Sequence, residues 1–169
     1  IMLRGKNLTF KKKIIKGLRE KLVVHEKKNF SKKIFKYGDL MVMDFLKQPA
    51  YDIDNFRYKK FKIMVVRKRI NPSGIPYKGN YILRDKKIEK YCNQITKALK
   101  LDYLTDIDLL TSAKDNEPML LEVNPRPSGS AVISYKANIP FFSIVIAKMM
   151  NKKYSFKNKS IKINKALRI

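Results

Sequence analysis

The sequence predicts an α+β domain, a mainly antiparallel β-sheet flanked by helices, and three observations predict it. Residues 105–110 and 120–127 alternate apolar and polar side chains, and the stretch between them, Ala113-Lys114-Asp115-Asn116-Glu117, has the composition of a turn. Residues 61–66 are β-branched and apolar enough for a central strand. Ile88, Tyr91, Cys92, Ile95, Ala98 and Leu99 recur at helical spacing after Asp85, a good capping residue, so a helix over 86–100 packs on the sheet.

The other elements follow in chain order. Phe10, Ile14, Ile15, Leu18 and Leu22 trace an amphipathic helix over 9–21, with Asn7 or Thr9 able to cap it and a basic outer face. A short strand over 22–24 precedes a polar excursion, 27–38, anchored only by Phe30, Ile34 and Phe35. His25, the lone histidine, has no partner cluster for metal binding or nucleophilic catalysis. Residues 40–46 form an apolar run broken by Asp44, a buried strand that Lys47-Gln48-Pro49 is expected to stop. After the strand at 61–66 come Arg67-Lys68-Arg69, of which Arg67 and Arg69 share a face. Residues 71–80 hold Pro72, Gly74, Pro76 and Gly79, and such a loop is either a site element or an ordinary connection. Small residues at 128–131 let the backbone pass close to a ligand, and an apolar helix follows over 141–150. Beyond Asn151 the chain is lysine-rich, and residues 161–169 form a last strand or stay loose.

The chemistry concentrates in the second alternating run. Successive strand side chains point to opposite faces, so Glu122, Asn124 and Arg126 share one face and Leu121, Val123 and Pro125 the other. Antiparallel pairing with residues 105–110 would set Asp108, with Asp106 as a second candidate, beside Glu122 and Asn124. Two carboxylates and an amide oxygen are hard ligands suited to Mg2+, and a planar arginine at 126 could grip phosphate oxygens. The alternative is a hairpin whose polar row simply faces water.

Glu122-Val123-Asn124-Pro125-Arg126-Pro127-Ser128-Gly129-Ser130 resembles the metal and phosphate strand of the ATP-grasp superfamily, closest to the branch of the carbamoyl-phosphate synthase large subunit. Residues 40–46 are similar to that family's adenine hinge strand, 51–56 to the next strand and 61–69 to its hairpin partner. The resemblance covers residues 40–150 and implies an ATP-grasp C-terminal lobe. It implies that Asp108, Glu122 and Asn124 hold magnesium or manganese bridging the ATP phosphates. It also implies that Arg126 contacts phosphate, with Asn124 sharing the catalytic role, that Met43, Asp44, Phe45 and Leu46 cradle adenine, and that Asp54 lies near the ribose. The implied activity is ATP-dependent activation of a carboxylate or bicarbonate as an acyl phosphate, followed by ligation to an amine. Relatives often carry glutamate where this chain has Ala50.

Domain expectations follow from the same resemblance: 1–39 as the remainder of the small lobe, 40–150 as the C-terminal lobe with the nucleotide and metal site, and 151–169 as a lysine-rich tail. Relatives carry a phosphate-contacting lysine and a glycine-rich loop ahead of residue 40, and nothing here resembles that loop. The chain therefore reads as the C-terminal portion of a longer polypeptide whose N-terminal lobe would be its first partner, inactive by itself.

Composition bounds the rest. The 169 residues and 44% hydrophobic content suit one domain with a continuous core and exclude a disordered class. No apolar run approaches about 18 residues, so no membrane span is expected, and the polar start does not read as a signal peptide. One cysteine, Cys92, reads as a small core hydrophobe, and the setting is expected to be cytoplasmic. The net charge of +25 suggests polyanion binding, yet only eight of the 39 basic residues are arginine. The excess is a dispersed lysine surface, with nucleic acid bound only non-specifically. A non-catalytic structural domain of the same fold is the competing class, and a homo-oligomer stays open.

Overall fold

In a computed structural model of the chain, the described residues are 2–4, 24–26, 43–44, 46–70, 78–155 and 161–168. The helix expected at 9–21, the excursion at 27–38, residues 22–23 and 40–42, Phe45 and most of the loop at 71–80 lie outside them. The chain divides into two compact units, Ile1–Leu46 and Lys47–Ile169, a boundary a few residues beyond the one expected at 39/40.

The first unit contains a parallel three-stranded sheet of β1 (Met2–Arg4), β2 (Val24–Glu26) and β3 (Met43–Asp44), in the order β2-β1-β3. Leu3 pairs with His25 on one side and with Asp44 on the other.

The second unit is built on a six-stranded antiparallel sheet, in the order β8-β7-β4-β5-β6-β9. Its strands are β4 (Leu46–Tyr58), β5 (Phe61–Arg69), β6 (Asn80–Leu83), β7 (Tyr103–Ser112), β8 (Pro118–Asn124) and β9 (Ala166–Leu167). Helix α1 (Lys86–Ala98) lies between β6 and β7 in the chain, and α2 (Val132–Lys136) and α3 (Phe141–Met149) follow β8. Val65 and Val66 are neighbours on β5 and so point to opposite faces. Val66 packs with Ile53, Ile107 and Leu109 against Ile88, Cys92 and Ile95 of α1. Val65 packs with Phe56 and Ile82 against Ile133 of α2 and Phe141 and Val145 of α3. The sheet is thus covered by α1 on one side and by α2 and α3 on the other.

Asp85 caps α1 as expected, its carboxylate accepting from the backbone N–H of Lys87 and Ile88 at 2.9 and 3.1 Å. Ala98 and Leu99, expected in the core, are exposed because they fall at the helix terminus, with Leu99 as the C-cap. A second correction concerns Lys47-Gln48-Pro49, which does not stop the chain: β4 runs through it to Tyr58. The β4–β5 ladder begins only at Tyr51 opposite Lys68, so the missing N–H of Pro49 costs that ladder nothing. The Pro49 carbonyl accepts from the Thr111 hydroxyl at 2.9 Å. At the other end of the chain, β9 pairs with β6, so part of the lysine-rich terminus belongs to the sheet.

Candidate functional site

The hairpin of β7 and β8 has the register the alternation predicts. Asp106 lies opposite Asn124 and Asp108 opposite Glu122, so the four polar side chains share one face. The apolar side departs from strict alternation. The register shifts between Asp108 and Leu109, which pairs with Leu120, leaving Leu121 as an extra residue on β8. Leu120 and Val123 consequently pack on the core while Leu121, expected beside Val123, is exposed.

Two strands away, β5 contributes Arg67 and Arg69 to the same face, and β4 contributes Asp52 and Asp54. Arg69 donates through Nε to Asp52 Oδ1 at 2.6 Å and through a terminal nitrogen to Asp108 Oδ2 at 2.9 Å. The same terminal nitrogen also contacts Asp52, whose second oxygen accepts from the fully buried Asn80 at 2.8 Å. Arg69 therefore ties the two central strands to the hairpin carboxylate. Arg67 is buried completely, with one terminal nitrogen 2.8 Å from Asp54 Oδ1 and the other 2.9 and 2.6 Å from the carbonyl and hydroxyl of Ser130. Ser134 donates to the remaining Asp54 oxygen at 2.8 Å.

The residues singled out from the sequence are thus partly gathered. Asp108, Glu122 and Asn124 meet on one face, and Asn124 donates to Glu122 Oε1 at 3.0 Å. Arg126 lies just past the end of β8, exposed, with one nitrogen 2.9 Å from the Pro127 carbonyl and 3.5 Å from Asp106 Oδ2. Asp54, expected near the ribose, is instead inside the sheet with both oxygens engaged by Arg67 and Ser134. Met43 and Asp44 form β3 and Leu46 opens β4, while Phe45 lies outside the described residues. Ser134 was not singled out from the sequence; Ser130 entered only through the small-residue run at 128–131, and Asn80 only as the last residue of the loop at 71–80.

Electrostatics mark the face as short of positive charge. Burial, joined by the charges of Asp52 and Asp106, pushes the Asp108 carboxyl up to about 7 in spite of Arg69. Asp106 is pushed up to about 6, again chiefly by burial, with Arg67 opposing. Its Oδ1 is buried without a hydrogen-bond partner. Asp54 is also raised, by burial first, against the pull of Arg67 and Ser134. Among the described residues no three His, Cys, Asp or Glu side chains come together as a metal-binding group. Asp108, Glu122 and Asn124 share this face as carboxylates and an amide, all hard oxygen donors, and Asp106 on the same face has a buried carboxylate oxygen without a partner. These residues fit a divalent cation that completes its shell with phosphate and water.

A face of this composition, acidic at its centre and ending in an exposed guanidinium, has the donors that a phosphate held together with a cation would require. Residues 36–169 match the family described as ATP-grasp in the biosynthetic pathway with Ter operon, and the chain belongs to that family, within the ATP-grasp superfamily. The antiparallel sheet with its flanking helices is consistent with an ATP-grasp lobe, and the family implies an ATP-dependent ligase in general. No curated protein matches the chain.

Proposed function

We propose that this protein supplies the metal and phosphate face of an ATP-dependent ligase that activates a carboxylate or bicarbonate as an acyl phosphate for capture by an amine, as carbamoyl-phosphate synthase does. The observation that carries the reading is the cross-strand pairing of Asp106 with Asn124 and Asp108 with Glu122 beside Arg126. Asp108, Glu122 and Asn124 would hold Mg2+, which when bound supplies charge neutralisation at the ATP phosphates. Arg126, exposed and forked, would grip phosphoryl oxygens as negative charge redistributes in the transition state. Arg69, held by Asp52, keeps the Asp108 carboxylate in place.

In the reaction an oxygen of the acceptor carboxylate attacks the γ-phosphorus and the bond to ADP breaks. The amine then attacks the acyl carbon and phosphate leaves. Positioning and electrostatics carry most of such a reaction, and it needs no general base from the protein.

The test is ADP release from Mg-ATP in the presence of bicarbonate and of a panel of amino acids and dicarboxylates, with hydroxylamine to trap an acyl phosphate. Acceptor-dependent release and trapping, lost in Glu122→Ala/Asn124→Ala, are expected of the chain assayed together with the N-terminal lobe that the resemblance implies. ADP release that no carboxylate or bicarbonate stimulates would overturn the reading.

A further inference from the structure

Among the described residues, Arg67 is the largest side chain to be buried completely, and it reaches across the sheet to the segment that follows β8. A guanidinium removed from water is costly unless it is paired and hydrogen-bonded. Here the pairing is two-sided. One terminal nitrogen is committed to Asp54 on β4, the other to both polar atoms of Ser130, 63 residues later in the chain. Asp54 in turn accepts from Ser134 in α2, so a two-strand ion pair grips both sides of the turn into that helix.

The segment so gripped is otherwise held mainly by short local contacts. Pro125, Arg126, Pro127 and Gly129 are exposed, and a Cβ built on Gly129 would meet nothing within 4 Å. Its other contacts include the Arg126 N–H to the Asn124 carbonyl at 2.8 Å, and the Arg126 guanidinium to the Pro127 carbonyl at 2.9 Å and to Asp106 at 3.5 Å. The Ser130 and Ala131 N–H groups donate to the hydroxyl and carbonyl of Ser128 at 3.3 and 3.1 Å. All of these lie within a few residues of one another except the contact to Asp106. Helix α2 has no side-chain cap of its own, and the Ile133 N–H donates to the Ser130 carbonyl at 3.0 Å, the same carbonyl that Arg67 holds.

We propose that Arg67 is a positioning residue, a buried latch that fixes the Arg126–Ser130 segment and thereby aims the Arg126 guanidinium at the metal and phosphate face. Its use for phosphate rests on the function proposed above, whereas the latch itself does not. A lysine keeps the charge but offers no rigid fork to span Asp54 and Ser130.

Hydrogen exchange of the purified chain tests it, comparing wild type with Arg67→Lys and Ser130→Ala. Exchange at the Arg126, Ala131 and Ile133 amides should quicken by about tenfold in Arg67→Lys, and less in Ser130→Ala, with α1 and β5 unchanged. Should Arg67→Lys fail to fold, Ser130→Ala decides alone. Unchanged exchange at those amides, or acceleration of equal size throughout the sheet, overturns the latch. Titration of Mg-ADP into the same variants reads the aim of Arg126: affinity should fall by about tenfold in Arg67→Lys, and an unchanged affinity beside loosened amides overturns the positioning role. A wild-type chain that takes up no Mg-ADP counts against the proposed function, while the exchange result still decides the latch.

Discussion

Asp106 and Asp108 titrate where few carboxylates do, at about 6 and about 7 against an ordinary value of 3.8. Both bind a proton more tightly folded than unfolded. The stability this contributes is therefore full below the unfolded value and is lost as pH rises through the folded ones. Without divalent ions the unfolding free energy should fall by roughly 2–4 kcal/mol between about pH 5 and 8, and Asp108→Asn should remove most of that slope in urea titrations. Magnesium should restore stability at the upper end more than at the lower, because it replaces the proton as the compensating charge. The buried pair behaves differently. Asp54→Ala would leave the Arg67 charge stranded and should cost about 3–5 kcal/mol, read as a shift of the urea midpoint. Nothing in the sequence showed that pairing. Asp54 stood near the ribose through the family resemblance alone, and its partner is 13 residues away on the next strand. Cys92 was legible, and burial pushes its thiol up to about 12.

The β7–β8 hairpin was the most legible element, since period-two alternation and a polar turn specify both the strands and their faces. The bulge at Leu121 was not, because an extra residue in one strand leaves the local pattern almost unchanged. The helix at α1 announced itself through its stripe and its cap, and Asp85→Ala should cost about 1 kcal/mol in thermal unfolding. The pairing of β9 with β6 was invisible, as two residues carry no period. Gly79 nonetheless records it. Its φ of +106° is one that side chains rarely adopt, and a Cβ there would lie 2.1 Å from the Leu167 carbonyl oxygen. Gly79→Ala should destabilise the domain by more than about 1 kcal/mol and free the C-terminal segment to limited proteolysis ahead of the rest of the sheet.

At the scale of the whole molecule, the +25 charge and the acidic face point in opposite directions. Among the described residues, arginines 67, 69 and 126 are each tied to an aspartate of the face, whereas lysine dominates the composition. Among the described residues no helix is long and apolar enough to cross a membrane. The fold class was legible because alternating and helical periods alternate along the chain. The candidate site was legible only within the β7–β8 hairpin, and its supporting pairs, drawn from β4, β5, β6 and α2, join strands and a helix that no local pattern connects. The measurement that tests the central claim most directly is calorimetric titration of Mg-ADP into the chain at about 0.15 M salt, which suppresses non-specific lysine binding. Saturable binding that disappears with EDTA and in Glu122→Ala/Asn124→Ala is the predicted result. Binding that survives both, and weakens only as salt is raised, would contradict it.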